Sequence, residues 1–129
     1  MKTSQLEEWL STDEEFDEEL IKQNGCLKLN SMIIGYMDEK GITRSEFIRR
    51  MNIDRNYGYQ LLNGTRSPTR NHLIQMGLLL ELNLEGLQRL LKTANKKPLY
   101  VRDLFDAKVF YAVKHKMDFE RAMEFIWGE

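Results

Sequence analysis

Residues 42–64 read Ile42-Thr43-Arg44-Ser45-Glu46-Phe47-Ile48-Arg49-Arg50-Met51-Asn52-Ile53-Asp54-Arg55-Asn56-Tyr57-Gly58-Tyr59-Gln60-Leu61-Leu62-Asn63-Gly64. Two short helical periods are legible there. Thr43 is an N-cap residue, and Phe47, Ile48 and Met51 follow it at the spacing of one buried face. Asp54 is a second N-cap. The helix it opens runs to about Asn63 and stops at Gly64, a residue suited to the positive φ of a helix end. Asn52 sits in the turn between them and tolerates the left-handed conformation better than most side chains. The stretch predicts two short helices joined by a tight turn.

Working outward, every flank also carries a helical period. Leu29, Met32, Ile33 and Tyr36 precede the pair and end at Gly41. Thr69, after Pro68, opens a helix with Leu73, Ile74, Gly77, Leu78 and Leu80; it is apolar on most sides, which places it centrally. Leu84, Leu87, Leu90, Leu91 and Ala94 mark one more, followed by the linker-like Asn95-Lys96-Lys97-Pro98. Beyond it, Val101, Leu104, Phe105, Val109, Ala112 and Val113 pattern a long helix. Asp118 caps a last one with Phe119, Ala122, Met123 and Ile126 on one face. At the start of the chain, Ser4 with Glu7 and Thr12 with Glu15 are capping signatures. They open narrow stripes of Leu6, Trp9 and Leu10, then of Phe16, Leu20 and Ile21, closed by Asn24-Gly25. No strand-like alternation extends over four residues. The expected fold is all-α: an acidic amphipathic helical segment over 1–25, a five-helix domain with a helix-turn-helix over 27–95, and a two-helix extension over 99–129.

Composition narrows the function classes. The chain has 129 residues, 30% charged and 42% hydrophobic, the balance of one ordinary globular domain. It contains no run of about 18 uncharged apolar residues and no secretory h-region, so no membrane partner is expected. The single cysteine, Cys26, excludes an internal disulfide. A cytoplasmic protein is the expectation. The net charge of −1 conceals an uneven distribution: residues 1–21 sum to −7 and residues 42–72 to +4. That asymmetry points to an anionic partner for the middle of the chain. All six basic residues there are arginines, which bind phosphate and guanine edges in a bidentate way that lysine does not.

The helix pair, with one helix before it and two after, looks like the bipartite helix-turn-helix of the Cro/CI repressor class (XRE-like). Gly64-Thr65-Arg66-Ser67-Pro68 resembles that class's Gly-x-Arg-x-Pro exit from the recognition helix. The resemblance covers about half the chain, and the run from Tyr57 to Arg70 is its most specific part. The flanks are similar to a subgroup from Gram-positive bacteria that has an acidic N-terminal segment and a C-terminal Leu-Tyr-x-Arg extension, here Leu99-Tyr100-Val101-Arg102. The resemblance implies sequence-specific double-stranded DNA binding by a transcriptional regulator. Four positions depart from the class pattern. Its usual Gln, Ala, turn Gly and β-branched residue are here Arg44, Ile48, Asn52 and Gly58. The class pattern puts Ile48 and Gly58 in contact where the two helices cross, so the large-for-small and small-for-large changes conserve volume.

By class analogy and helix geometry, Gly58 and Leu61 face inward. Arg55, Asn56, Tyr59, Gln60 and Asn63 face out as the expected base readers: Gln and Asn for adenine, Arg for guanine. Arg44, Tyr57, Thr65, Arg66 and Arg70 are the expected backbone contacts. About six phosphate contacts correspond to a salt slope of roughly −5. Tyr57 and Tyr59, two residues apart, cannot share a face, so one of them is available to the core. Arg49 and Arg50 fit ion pairing better than base reading. His72 and His115 are isolated, which argues against a metal site, and Cys26 fits a small buried hydrophobe. No phosphate-binding Gly loop, nucleophile elbow or metal-protease motif is present, so neither an enzyme nor a cofactor is expected. The acidic segment either presents a solvated face, covers the basic surface, or docks a protein partner through Leu6, Trp9, Leu10 and Phe16. Residues 99–129 either add core or form a homodimer interface; Phe110, Phe125 and Trp127, off the main stripes, favour the interface. The alternative to DNA binding is a helical protein–protein adapter.

Overall fold

The computed structural model describes Glu7, Glu8, Ser11 and residues 29–128. The expectations for Ser4, Leu6, Trp9, Leu10, Thr12, Phe16, Leu20, Ile21, Asn24-Gly25 and Cys26 lie outside the described residues. Glu7 and Glu8 are helical, and their carbonyls both accept from the Ser11 N–H at 3.1 Å. Among the described residues the chain is all-helical, with seven helices from Leu29 onward and no strand. They are α1 (Leu29–Lys40), α2 (Arg44–Met51), α3 (Arg55–Asn63), α4 (Arg70–Leu79), α5 (Leu84–Thr93), α6 (Leu104–Lys114) and α7 (Phe119–Trp127).

Side-chain caps explain where most of these helices begin. Thr43, Asp54, Thr69, Asn83, Asp103 and Asp118 each accept from the backbone N–H three residues on, at 2.8–3.2 Å. Each satisfies one of the donors that a helix start leaves without an internal partner. The turn between α2 and α3 is made by Asn52 in the left-handed region, at φ +56°. Gly64 closes α3 at φ +85°.

The core is built around α4, which packs against α2, α5 and α7. Leu73, Ile74, Met76, Gly77, Leu78 and Leu79 are all buried, the central position its all-round apolarity predicts. Ile33 and Met37 from α1, Phe47, Ile48 and Met51 from α2, Leu61 and Leu62 from α3, and Leu87, Leu90 and Leu91 from α5 complete it.

Two helix crossings depend on a missing side chain. A Cβ on Gly58 would stand 2.6–2.9 Å from three carbons of Ile48, so α3 lies as close to α2 as it does only because position 58 is bare. Ile48 occupies the space that a larger residue at 58 would take, which is the volume exchange expected from the sequence. At the second crossing, a Cβ on Gly77 would meet Leu87 Cδ1 at 2.6 Å.

The C-terminal extension is tied into this core. Ala112, Val109, Phe119, Ala122 and Ile126 are buried, and Phe105 and Trp127 meet edge-on at 5.5 Å between ring centroids. Its entry differs from the sequence reading. Val101 and Leu104, expected on the inward stripe of a long helix, are 55% and 74% exposed. A turn with Asp103 N–H donating to the Tyr100 carbonyl precedes the Asp103 cap, so the helix starts at Leu104 with its buried stripe set by Val109 and Ala112. Leu99 is the residue buried there instead, clamped by Gln88, whose side-chain amide accepts from the Leu99 N–H at 2.8 Å and donates to its carbonyl at 3.3 Å.

Arg70 supplies the strongest polar tie. Its guanidinium makes a bidentate pair with Asp106 (3.0 and 2.9 Å) and also donates to the carbonyls of Lys97 and Pro98 (3.0 and 3.1 Å). Asp106, 6% exposed, further accepts from the Tyr100 N–H. One arginine thus holds the first turn of α4, the 97–98 linker and the first turn of α6 together.

Two stability measurements test these contacts. Gly58→Ala gains ~1 kcal/mol of helix propensity but overpacks the crossing by ~1–3 kcal/mol, for an expected net loss of about 0–2 kcal/mol. In a urea double-mutant cycle with Ile48→Ala, the double variant is less destabilised than the two singles summed, by about 1 kcal/mol or more. Asp106→Asn strands the Arg70 charge and costs about 2–4 kcal/mol, the lower side of a broken buried pair because Arg70 retains contact with water.

Candidate nucleic-acid interface

The Asp54 cap and the crossing at Gly58 fix which face α3 presents. Gly58, Leu61 and Leu62 are buried, Arg55, Asn56 and Asn63 are exposed, and Tyr57, Tyr59 and Gln60 are half-buried. Residues 55, 56, 59, 60 and 63 follow one another at helical spacing, so the five expected base readers form one outward stripe.

The stripe is partly pre-ordered. The Arg55 guanidinium lies 5.8 Å from the centroid of the Tyr59 ring, one turn on. Such a cation–π contact at an exposed site is worth about 0.5–1 kcal/mol and holds the arginine extended along the helix. At the other end, the Asn63 side-chain carbonyl accepts from both the backbone N–H and the hydroxyl of Thr65. Both of its lone pairs are engaged, so Asn63 offers only its amide hydrogens outward. The two-point pairing with adenine expected of it requires those bonds to open. Thr65 is correspondingly directed at Asn63 rather than at a free surface.

Tyr57 also differs from its expected role. Its hydroxyl is 3.2 Å from His72 Nδ1, and the two rings are 5.5 Å apart. The phenol therefore points at α4, and a phosphate would have to displace His72 to receive its proton. Its ring instead forms a shelf for Arg66, whose guanidinium sits 5.5 Å from the ring centroid. The His72 contact was beyond sequence reasoning, because the two residues are fifteen apart and in different helices. Burial lowers the His72 pKa below its usual 6.5, which favours a neutral ring. A neutral ring protonated at Nε2 accepts the Tyr57 O–H at Nδ1.

The arginines separate into two groups. Arg49 pairs with Glu46 at 3.7 Å and Arg50 with Glu120 at 3.6 Å, the ion-pairing role expected of them. Arg70, expected at the DNA backbone, is committed to Asp106 and two carbonyls; a phosphate would have to break a bidentate pair to reach it. By contrast, Arg44, Arg55 and Arg66 have no carboxylate within ion-pair distance among the described residues. Arg44 opens α2, and Arg66 follows α3, its backbone N–H donating to the Gln60 carbonyl.

Comparison with protein-family models, with curated proteins and with solved structures finds no match. Among the described residues, no helix is long and apolar enough to cross a membrane.

The His72 environment has a consequence for stability. Because the folded pKa lies below the unfolded one, acidification protonates the unfolded chain first, and stability falls as pH drops through 6.5 toward the folded value. Replacing His72→Gln removes that contribution. The drop in Tm between about pH 7 and pH 5 is expected to be smaller for this variant than for the parent.

Proposed function

We propose that the protein binds double-stranded DNA through α2 and α3, with α3 in the major groove, and that it acts as a transcriptional regulator of the Cro/CI-like helix-turn-helix class. The observation that supports this best is the α3 stripe of Arg55, Asn56, Tyr59 and Gln60, together with Arg44 at the start of α2 and Arg66 just after α3, with none of the three arginines paired to a carboxylate among the described residues. A guanidinium offers a fork for guanine O6 and N7, and the Gln60 amide offers a donor and an acceptor for adenine. Arg44 and Arg66 suit phosphates on either side of the groove, and the N-termini of α2 and α4 add partial positive charge there. With Arg70 and Tyr57 engaged elsewhere, the backbone set is smaller than the sequence implied, and the salt slope is expected to be shallower than about −5.

The test is selection from random duplex DNA, with affinity followed over a salt series. An enriched motif is expected. Arg55→Ala and Gln60→Ala each cost about 1–3 kcal/mol on that motif and relax one position of it. Arg44→Ala and Arg66→Ala weaken all sequences alike, and each lowers the salt slope by about 1. Absence of any DNA binding would reject this reading and leave the protein–protein adapter.

A further inference from the structure

Between α2 and α3 lies a cleft of about 260 Å³, lined by Ser45, Ile48, Arg49, Ile53, Arg55 and Tyr59. Ile48 is the one fully buried residue of the six and forms the floor, fixed where it fills the crossing at Gly58. Ile53, in the turn, and Tyr59 are half-buried and form the apolar walls. Arg55 and Tyr59 belong to the outward stripe of α3, so the cleft opens beside that stripe, on the side of α2.

The lining restricts what fits. None of the six residues is acidic, and Arg49 is paired with Glu46. Arg55 has no carboxylate within ion-pair distance among the described residues, and its guanidinium is held 5.8 Å from the centroid of the Tyr59 ring. An occupant that uses the whole cleft has to bring hydrogen-bond acceptors to Arg55 and, beside them, a small apolar group to Ile48, Ile53 and Tyr59. Two neighbouring base pairs meet both demands in the major groove. Guanine offers O6 and N7, and a pyrimidine with a C5-methyl offers the apolar group. That methyl is the outermost group on the major-groove edge of its base pair, nearest the backbone of its own strand. The cleft lies on the matching side, between the base-facing stripe and α2, whose Arg44 suits a phosphate.

We propose that this cleft receives the C5-methyl of a thymine or a 5-methylcytosine in a base pair flanking the guanine that Arg55 contacts. This assignment rests on the DNA-binding reading and extends it. Ser45, Ile48 and Ile53, which form no part of the base-reading stripe, become determinants of sequence preference. Burying one methyl group corresponds to a gain in affinity of about fourfold.

The experiment uses the full chain and the duplex motif obtained by selection. The guanine is the position that Arg55→Ala relaxes. In each of its two flanking base pairs, thymine is replaced by uracil, or cytosine is methylated at C5, so that only the methyl changes. At one flanking pair the methyl is expected to lower Kd by about threefold to fivefold. An equal gain with either base makes the methyl itself the recognised group; a gain with thymine alone identifies thymine as its source. Ser45→Met fills the cleft from an exposed position, and Ile53→Ala removes part of its wall; thermal melts verify that both fold. Each is expected to erase or reduce the methyl's effect while leaving the preference for the guanine. Two results would overturn the assignment and leave DNA binding standing: a methyl without effect at both flanking pairs, or an effect unchanged in both variants. Absence of DNA binding would reject both readings together.

Discussion

The crossing of α2 and α3 rests on Ile48 filling the space left by the absent side chain of Gly58. Close packing of this kind leaves little play, because interior side chains interdigitate with few voids. The contact decides how near α3 approaches and how it is rotated about its own axis. That rotation sends Leu61 and Leu62 into the core and Arg55, Asn56 and Gln60 outward. The second bare position, Gly77 against Leu87, does the same for α4 and α5. A small domain with short helices gains little from helix propensity alone, so such close approaches carry much of its definition.

Arg70 illustrates how a second demand can redirect a residue. A free arginine in the first turn of α4 would suit a phosphate. Here Asp106 and the 97–98 carbonyls engage four of its donor contacts, and the gain is a C-terminal extension joined to α4 through a mostly desolvated ion pair. Movement of α6 is thereby coupled to the turn that follows α3. A lysine could not make the same set of contacts, because it lacks the planar fork.

Local chemistry made most of the fold legible. Thr43, Asp54, Thr69 and Asp118 announce helix starts by side-chain type, Gly41 and Gly64 announce ends, and the all-round apolarity of residues 73–80 marks the central helix. The entry to α6 was illegible because Val101 and Leu104 fall at the right period yet precede or open the helix, and periodicity cannot tell a buried stripe from an exposed one. On the candidate site, the outward stripe follows from helix geometry. The diversion of Arg70, Tyr57 and Asn63 does not, since each depends on a partner whose position only the tertiary arrangement sets: Asp106, His72, and Thr65 folded back across the Gly64 turn.

The tether between Asn63 and Thr65 shortens the part of α3 that is free to make two-point contacts. Arg55 to Gln60 covers roughly 7–8 Å of helix, which against the ~3.4 Å rise of a DNA strand corresponds to about two base-pair steps. On the DNA-binding reading, two steps carry little information, because a genome offers about a million or more competing sites. Selectivity would then have to accumulate from the deformability of the flanking duplex and from the spacing between successive bound copies, with α3 supplying only a short word in a longer address.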